Sequence, residues 1–87
     1  MILGPKNAPT NRLGRTLATL RAKHEWTLTH VQDEYGVDKG NLSRIERGEA
    51  SPSLETLHRL RDAYAVDDET FLTWLEMLRH RDQAGAA

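Results

Sequence analysis

Apolar residues recur at helical spacing in five stretches of the 87-residue chain, and residues that start or stop helices stand between them. Leu13, Leu17 and Leu20 fall at i, i+4 and i+7, which predicts an amphipathic helix from Thr10 or Asn11 as cap to about Lys23. Leu28, Val31 and Tyr35 follow behind Thr27, whose hydroxyl suits an N-cap, and Gly36 stands where a left-handed residue would end that helix. Asp38 can cap a third helix whose apolar positions are Leu42 and Ile45, and Gly48 can close it. Ser53 can cap a fourth, with Glu55 in its first turn and Leu54, Leu57, Leu60 and Tyr64 at helical spacing. Asp67 or Asp68 can cap a fifth, running to about Arg81. No segment alternates as a strand does, so the pattern predicts an all-α domain of five helices.

Outside these stretches the chain changes character. Residues 1–10 hold two of the three prolines with Gly4 and Asn7, and they read as a flexible arm. Residues 82–87 read as a frayed tail, leaving 11–81 as the domain. The fifth helix carries more apolar surface than one core contact requires. Phe71, Leu72, Trp74, Leu75, Met77 and Leu78 wrap well beyond the ~100° stripe of a one-sided helix. Phe71 and Leu72 are assigned to the core with Trp26 and Val66. Trp74, Leu75, Met77 and Leu78 are assigned to a dimer interface across a two-fold axis, which makes a homodimer the expected state. The alternative for Trp74 is that it closes the core.

A chain this short supports one core, and its 38% hydrophobic and 29% charged residues fit a globular protein. The absence of cysteine removes disulfides, thiolate metal sites and cysteine nucleophiles, and fits a reducing compartment. Residues 1–10 lack the apolar run of a secretory signal, so a cytoplasmic location is expected. The formal charge of −1 hides an asymmetry: residues 1–24 carry five cations and no acid, whereas residues 25–49 and 50–87 each sum to −3. His24, His30, His58 and His80 share no metal-ligand spacing, and each reads as a lone surface histidine, with His24 or His30 able to meet a phosphate. No carboxylate pair, nucleophile elbow or glycine-rich phosphate loop is present, so neither catalysis, nor a cofactor, nor a metal is expected.

A short helix, a tight turn at Gly36 and a following helix make a helix-turn-helix pattern. From about Leu13 to Leu72 the chain resembles the lambda repressor and Cro-like helix-turn-helix domains of phage and bacterial regulators. LRAK in the first helix, GV at 36–37, LSRIERGE at 42–49 and PSLETLHRL at 52–60 carry the resemblance. It implies a five-helix fold and binding to double-stranded DNA. The helix after Asp38 would then be the recognition helix, reading base edges through Lys39, Gly40, Ser43 and Arg44. Of these, a guanidinium such as that of Arg44 can bond guanine O6 and N7 together. Phosphate contacts are implied for Arg12, Arg15, Asn41 and Arg47, with Lys6 in the arm, and for the free amides of Leu28 and Thr29 at a helix N-terminus. The arm either follows a groove or stays disordered. Arg21 and Glu46 match a structural ion pair of the family, and Leu42 and Ile45 match buried positions.

Three residues depart from the family pattern. Leu28 stands where a DNA-bonding glutamine usually does. Gln32 replaces a small residue at the crossing of the two motif helices, so the crossing is more open or the amide escapes to solvent. Glu49 occupies a loop position that is often basic. The function expected is a transcriptional regulator, by default a repressor, that binds an inverted-repeat operator as a homodimer. Its rival is an antitoxin or anti-activator that grips a partner protein through the last helix.

Overall fold

The computed structural model describes residues 12–86, with side chains described as far as Arg79. Five helices follow one another, α1 (Arg12–Lys23), α2 (Leu28–Tyr35), α3 (Lys39–Glu46), α4 (Leu54–Ala63) and α5 (Asp68–Ala86), and the described residues contain no strand. The flexible arm expected at 1–10, with Lys6, and the capping residues considered for α1 lie outside the described residues.

Local chemistry sets most of the boundaries. Thr27 Oγ1 accepts from the His30 amide, Asp38 Oδ2 from Asn41, Ser53 Oγ from Thr56 and Asp67 Oδ1 from Thr70, so four of the helices start on a side-chain cap. Those bonds to Thr70 hold the Asp67 carboxyl below the usual carboxylate range. Gly36 and Gly48 have φ of 75° and 80°, and each ends a helix in the left-handed conformation. The ends of α1 and α4 use the same geometry without glycine: Glu25 and Ala65 sit at φ 57° and 53°. The Trp26 amide there reaches back to the Arg21 carbonyl and the Val66 amide to that of Arg61, a paired closure that satisfies carbonyls the helices would leave unpaired. Helix α5 continues to Ala86, past the end near Arg81 that the sequence suggested. Gln83, Ala84 and Ala86 favour helix and no proline interrupts them.

All five helices contribute to one core: Leu13 and Leu17 from α1, Val31 from α2, Leu42 and Ile45 from α3, Leu57, Leu60 and Ala63 from α4, and Phe71 and Trp74 from α5. Val37, in the turn between α2 and α3, and Tyr64, after α4, complete it. Two assignments on α5 are corrected. Trp74 is 0% exposed and belongs to the core of its own chain, so it is withdrawn from the dimer face. Leu72 is 61% exposed and contributes nothing to the core to which it was assigned. The helical repeat explains the exchange: Phe71, Trp74 and Leu78 lie on one stripe, and Leu72 is turned about 100° away from Phe71. Leu75, Met77 and Leu78 are half-buried against the core, as are Trp26 and Val66.

Candidate nucleic-acid interface

Helix α3 has two chemically separate faces. Leu42 and Ile45 are buried, while Lys39, Gly40 and Arg44 are exposed and Ser43 is half-buried. Lys39, Gly40, Ser43 and Arg44 stand at i, i+1, i+4 and i+5, which places them on one side of an eight-residue helix. Gly40 presents no side chain there; a Cβ at that position would lie 3.3 Å from Asp38 Oδ2, so the glycine leaves room for the capping carboxylate.

The inner face is fixed by charge as well as packing. Arg21 Nε and Nη2 each donate to Glu46 at 2.8 Å, a bidentate pair between α1 and α3, and Arg21 Nη1 donates to the Trp26 carbonyl at 2.9 Å. The hydrogen bond to Glu46 raises the Arg21 pKa further above its already high value, against the opposing effect of burial. With side chains 22% and 8% exposed, the two charges are largely withdrawn from water and available to each other, so they link the helices and leave nothing for an outside ligand.

Around this junction lies an aromatic cluster. Trp26 stacks on His24 with ring centroids 4.3 Å apart, contacts His30 at 4.8 Å and Tyr35 at 5.6 Å, and lies 6.0 Å from Tyr64. His24 and His30 are therefore not lone, as the sequence suggested: both flank the indole, His24 from an exposed position and His30 half-buried. Tyr64 is buried, and its hydroxyl has no partner among the described residues. Burial, followed by the nearby Glu46 charge, pushes its pKa up to about 12.

The positions expected near phosphates are spread over several elements. Leu28 and Thr29 open α2, and their amides donate to no described group, as the first turn of a helix allows. The Leu28 side chain packs against the core and Thr29 is exposed. Asn41 is half-buried, with its amide on Asp38. Arg15 is exposed and lines a shallow hollow with Thr16, Thr19, Leu20 and Lys23, so Lys23 adds a cation that was not singled out. Arg12 faces a different hollow, with Thr73, Glu76 and Met77 at the α1–α5 junction. Arg47 donates from Nε to the Ser43 carbonyl and lies 3.4 Å from Glu49, so its charge is shared with the acid that departs from the family pattern.

Gln32, the residue that breaks the family pattern at the helix crossing, is engaged: its Oε1 accepts from the Lys39 amide at 2.9 Å. The amide oxygen is thus tied to the start of α3, on a half-buried side chain. Arg59 of α4 supports the same turn from the other side, donating to the Tyr35 carbonyl at 3.4 Å with its guanidinium against Gly36. No periodicity marks these two residues: Gln32 stands one turn before the glycine, and Arg59, on another helix, gives no sequence signal of its contact.

The model of a family described as helix-turn-helix domain matches residues 12–74. The HTH-type transcriptional regulator SutR of Escherichia coli K12 is 36% identical over 61 residues, covering 70% of this chain and 34% of that protein. The putative HTH-type transcriptional regulatory protein PH1808 of Pyrococcus horikoshii is 32% identical over 68 residues, covering 78% of this chain and 21% of that protein. The chain thus spans about a third and a fifth of the length of these relatives. No solved structure gives a significant match.

Proposed function

The chain belongs to the helix-turn-helix domain family, and from that membership together with the two-faced α3 we propose that it is a sequence-specific double-stranded DNA-binding regulator of transcription without enzymatic activity. The carrying observation is the outward side of α3. Lys39, Gly40, Ser43 and Arg44 project from a helix whose other side is held by Leu42, Ile45 and the Arg21–Glu46 pair. A helix of that width fits the major groove, with Arg44 directed at guanine and Lys39 at a base or a phosphate. Arg15, Lys23 and the open amides of α2 supply backbone contacts, and each phosphate neutralised adds a salt-dependent increment.

One copy carries few such charges, which favours action as a homodimer on an inverted repeat with half-sites ~34 Å apart. With Trp74 in the core, that dimer rests on Leu72 and the uncovered parts of Leu75, Met77 and Leu78. Repression is the default mode, because occupying a promoter needs no surface for the polymerase. The protein acts in the cytoplasm, where its target lies; no described helix is long and apolar enough to cross a membrane. Exposed Leu72 and the Arg47–Glu49 pair also support a second reading, an antitoxin or anti-activator that binds a partner protein through α5.

Selecting bound duplexes from a random pool, with the mass in solution recorded alongside, tests the proposal. An enriched inverted repeat bound by a dimer is expected; absence of enrichment transfers weight to the protein partner. Arg44→Ala should cost ~1–3 kcal/mol of discrimination at one position per half-site, and Arg15→Ala should weaken all sequences alike and flatten the salt slope. Uniform weakening by both changes would remove Arg44 from the base-reading role.

A further inference from the structure

Gln32 grips the turn of the motif at both ends. Its backbone carbonyl accepts from the Gly36 amide at 3.0 Å, closing α2, and its side-chain Oε1 accepts from the Lys39 amide at 2.9 Å, where α3 begins. The intervening Gly36, Val37 and Asp38 are held by the buried Val37 side chain, by the Asp38 cap on Asn41 and by the Arg59 guanidinium of α4, which lies against Gly36 and ties α4 to α2 rather than to α3. The first amides of a helix have no partner within it. At α3 the Asn41 amide is taken from within the turn, by Asp38, and the Lys39 amide from the neighbouring helix, by Gln32.

The second bond differs from the first in what it constrains. A cap from Asp38 moves with α3, so it stabilises the helix without fixing its direction. A bond from α2 to the first residue of α3 fixes where that residue sits relative to the helix before it. Because the Lys39 amide is a donor, the Gln32 amide must present oxygen to it, which sets the side-chain orientation. Gln32 is half-buried, and its Nε2 donates to no described group, so the Oε1 bond is its one side-chain tie.

We propose that Gln32 is a positioning residue: its bond to the Lys39 amide sets the entry of α3, and with it the base preference at the position Lys39 reads, without itself touching a base. The inference rests on the DNA-binding reading. In its chemistry Gln32→Met keeps length and helix propensity but replaces the amide oxygen by a weakly accepting thioether, whereas Gln32→Glu keeps an oxygen acceptor and adds a charge that repels phosphate.

The experiment combines amide exchange of the free protein with duplex selection by the wild type and both variants, each first shown to be folded by its amide spectrum. In the wild type the Lys39 amide should be protected; in Gln32→Met its exchange should rise roughly three- to tenfold, and in Gln32→Glu it should stay slow. Gln32→Met should flatten the preference at the Lys39 position by a similar factor and leave that at the Arg44 position unchanged. Gln32→Glu should bind all duplexes more weakly with the wild-type preference kept. An unprotected Lys39 amide in the wild type overturns the proposal whatever the DNA result. Loss of protection with an unchanged preference overturns the positioning role and leaves a purely structural cap. A protected amide in a wild type that selects no duplex overturns the DNA reading instead, and the specificity role falls with it.

Discussion

Helices α3 and α5 solve opposite problems. Helix α3 has eight residues, two buried apolar side chains, and directed contacts to its neighbours: the bidentate Arg21–Glu46 pair to α1 and the Gln32 bond to α2. Helix α5 has nineteen residues and is anchored by bulk, with Phe71 and Trp74 filling the core while Leu72 faces outward. Directed polar contacts fix a helix about its axis and along it, as a surface that must present particular side chains requires. Hydrophobic burial is non-directional and scales with area, so it holds α5 firmly while Leu72 stays exposed.

The sharpest way to break this contrast lies within α5. Trp74→Ala should cost ~3–5 kcal/mol, read as the shift of a urea unfolding midpoint, because the indole is fully enclosed. Leu72→Ser should change stability by no more than ~0.5 kcal/mol while moving the mass in solution of the proposed dimer towards a single chain. Equal stability losses would mean that the two residues share one environment, contrary to the stripe described.

At α3 the expected effect is smaller. Glu46→Ala leaves a half-buried guanidinium with only the Trp26 carbonyl, and about 3 kcal/mol of stability should be lost. The double change Arg21→Met with Glu46→Leu should recover most of it, since an apolar pair of similar volume avoids the desolvation of two charges. If the double variant is as unstable as the single, the pair does more than bridge two helices.

The smallest effect concerns Tyr64, which lies beside the α3 junction and senses both charges of the pair. Its hydroxyl has no described partner, so Tyr64→Phe should alter stability near neutral pH by less than ~1 kcal/mol. The pH dependence carries the information. The folded pKa, about 12, lies above the ordinary value of 10.0, so only the unfolded chain releases the proton between these values. Stability should therefore fall as pH rises from about 10 to about 12. Thermal midpoints of the Phe variant should fall less steeply over that window; identical slopes would show that the phenol is not the group responsible.

The same contrast decides what could be read in advance. The starts of α2, α3 and α4 were legible because Thr27, Asp38 and Ser53 cap through their own side chains, a chemistry that needs only neighbours in sequence. The α5 start was narrowed to Asp67 or Asp68, and the structure selects Asp67. Gly36 and Gly48 marked two ends; Glu25 and Ala65 gave no sign of the other two, since neither residue favours the left-handed region. On α3, polar and apolar positions separate cleanly, so its faces could be assigned from spacing. On α5 six apolar residues within eight positions offer no polar stripe as reference, and Leu72 and Trp74 were exchanged.

The sequence by itself determined five amphipathic helices, a glycine turn between the second and third, and the apolar side of α3 at Leu42 and Ile45, because caps, left-handed glycines and the 3.6-residue repeat act over a few residues. The resemblance, not the spacing, suggested the Arg21–Glu46 pair and the set Lys39, Gly40, Ser43 and Arg44. The tertiary structure alone decided the rotation of α5, the packing of His24 and His30 against Trp26, the placing of Arg12 beside Thr73, Glu76 and Met77 of α5 and the use of Gln32. Each of those depends on which side chains of helices distant in sequence meet, and no local pattern records that.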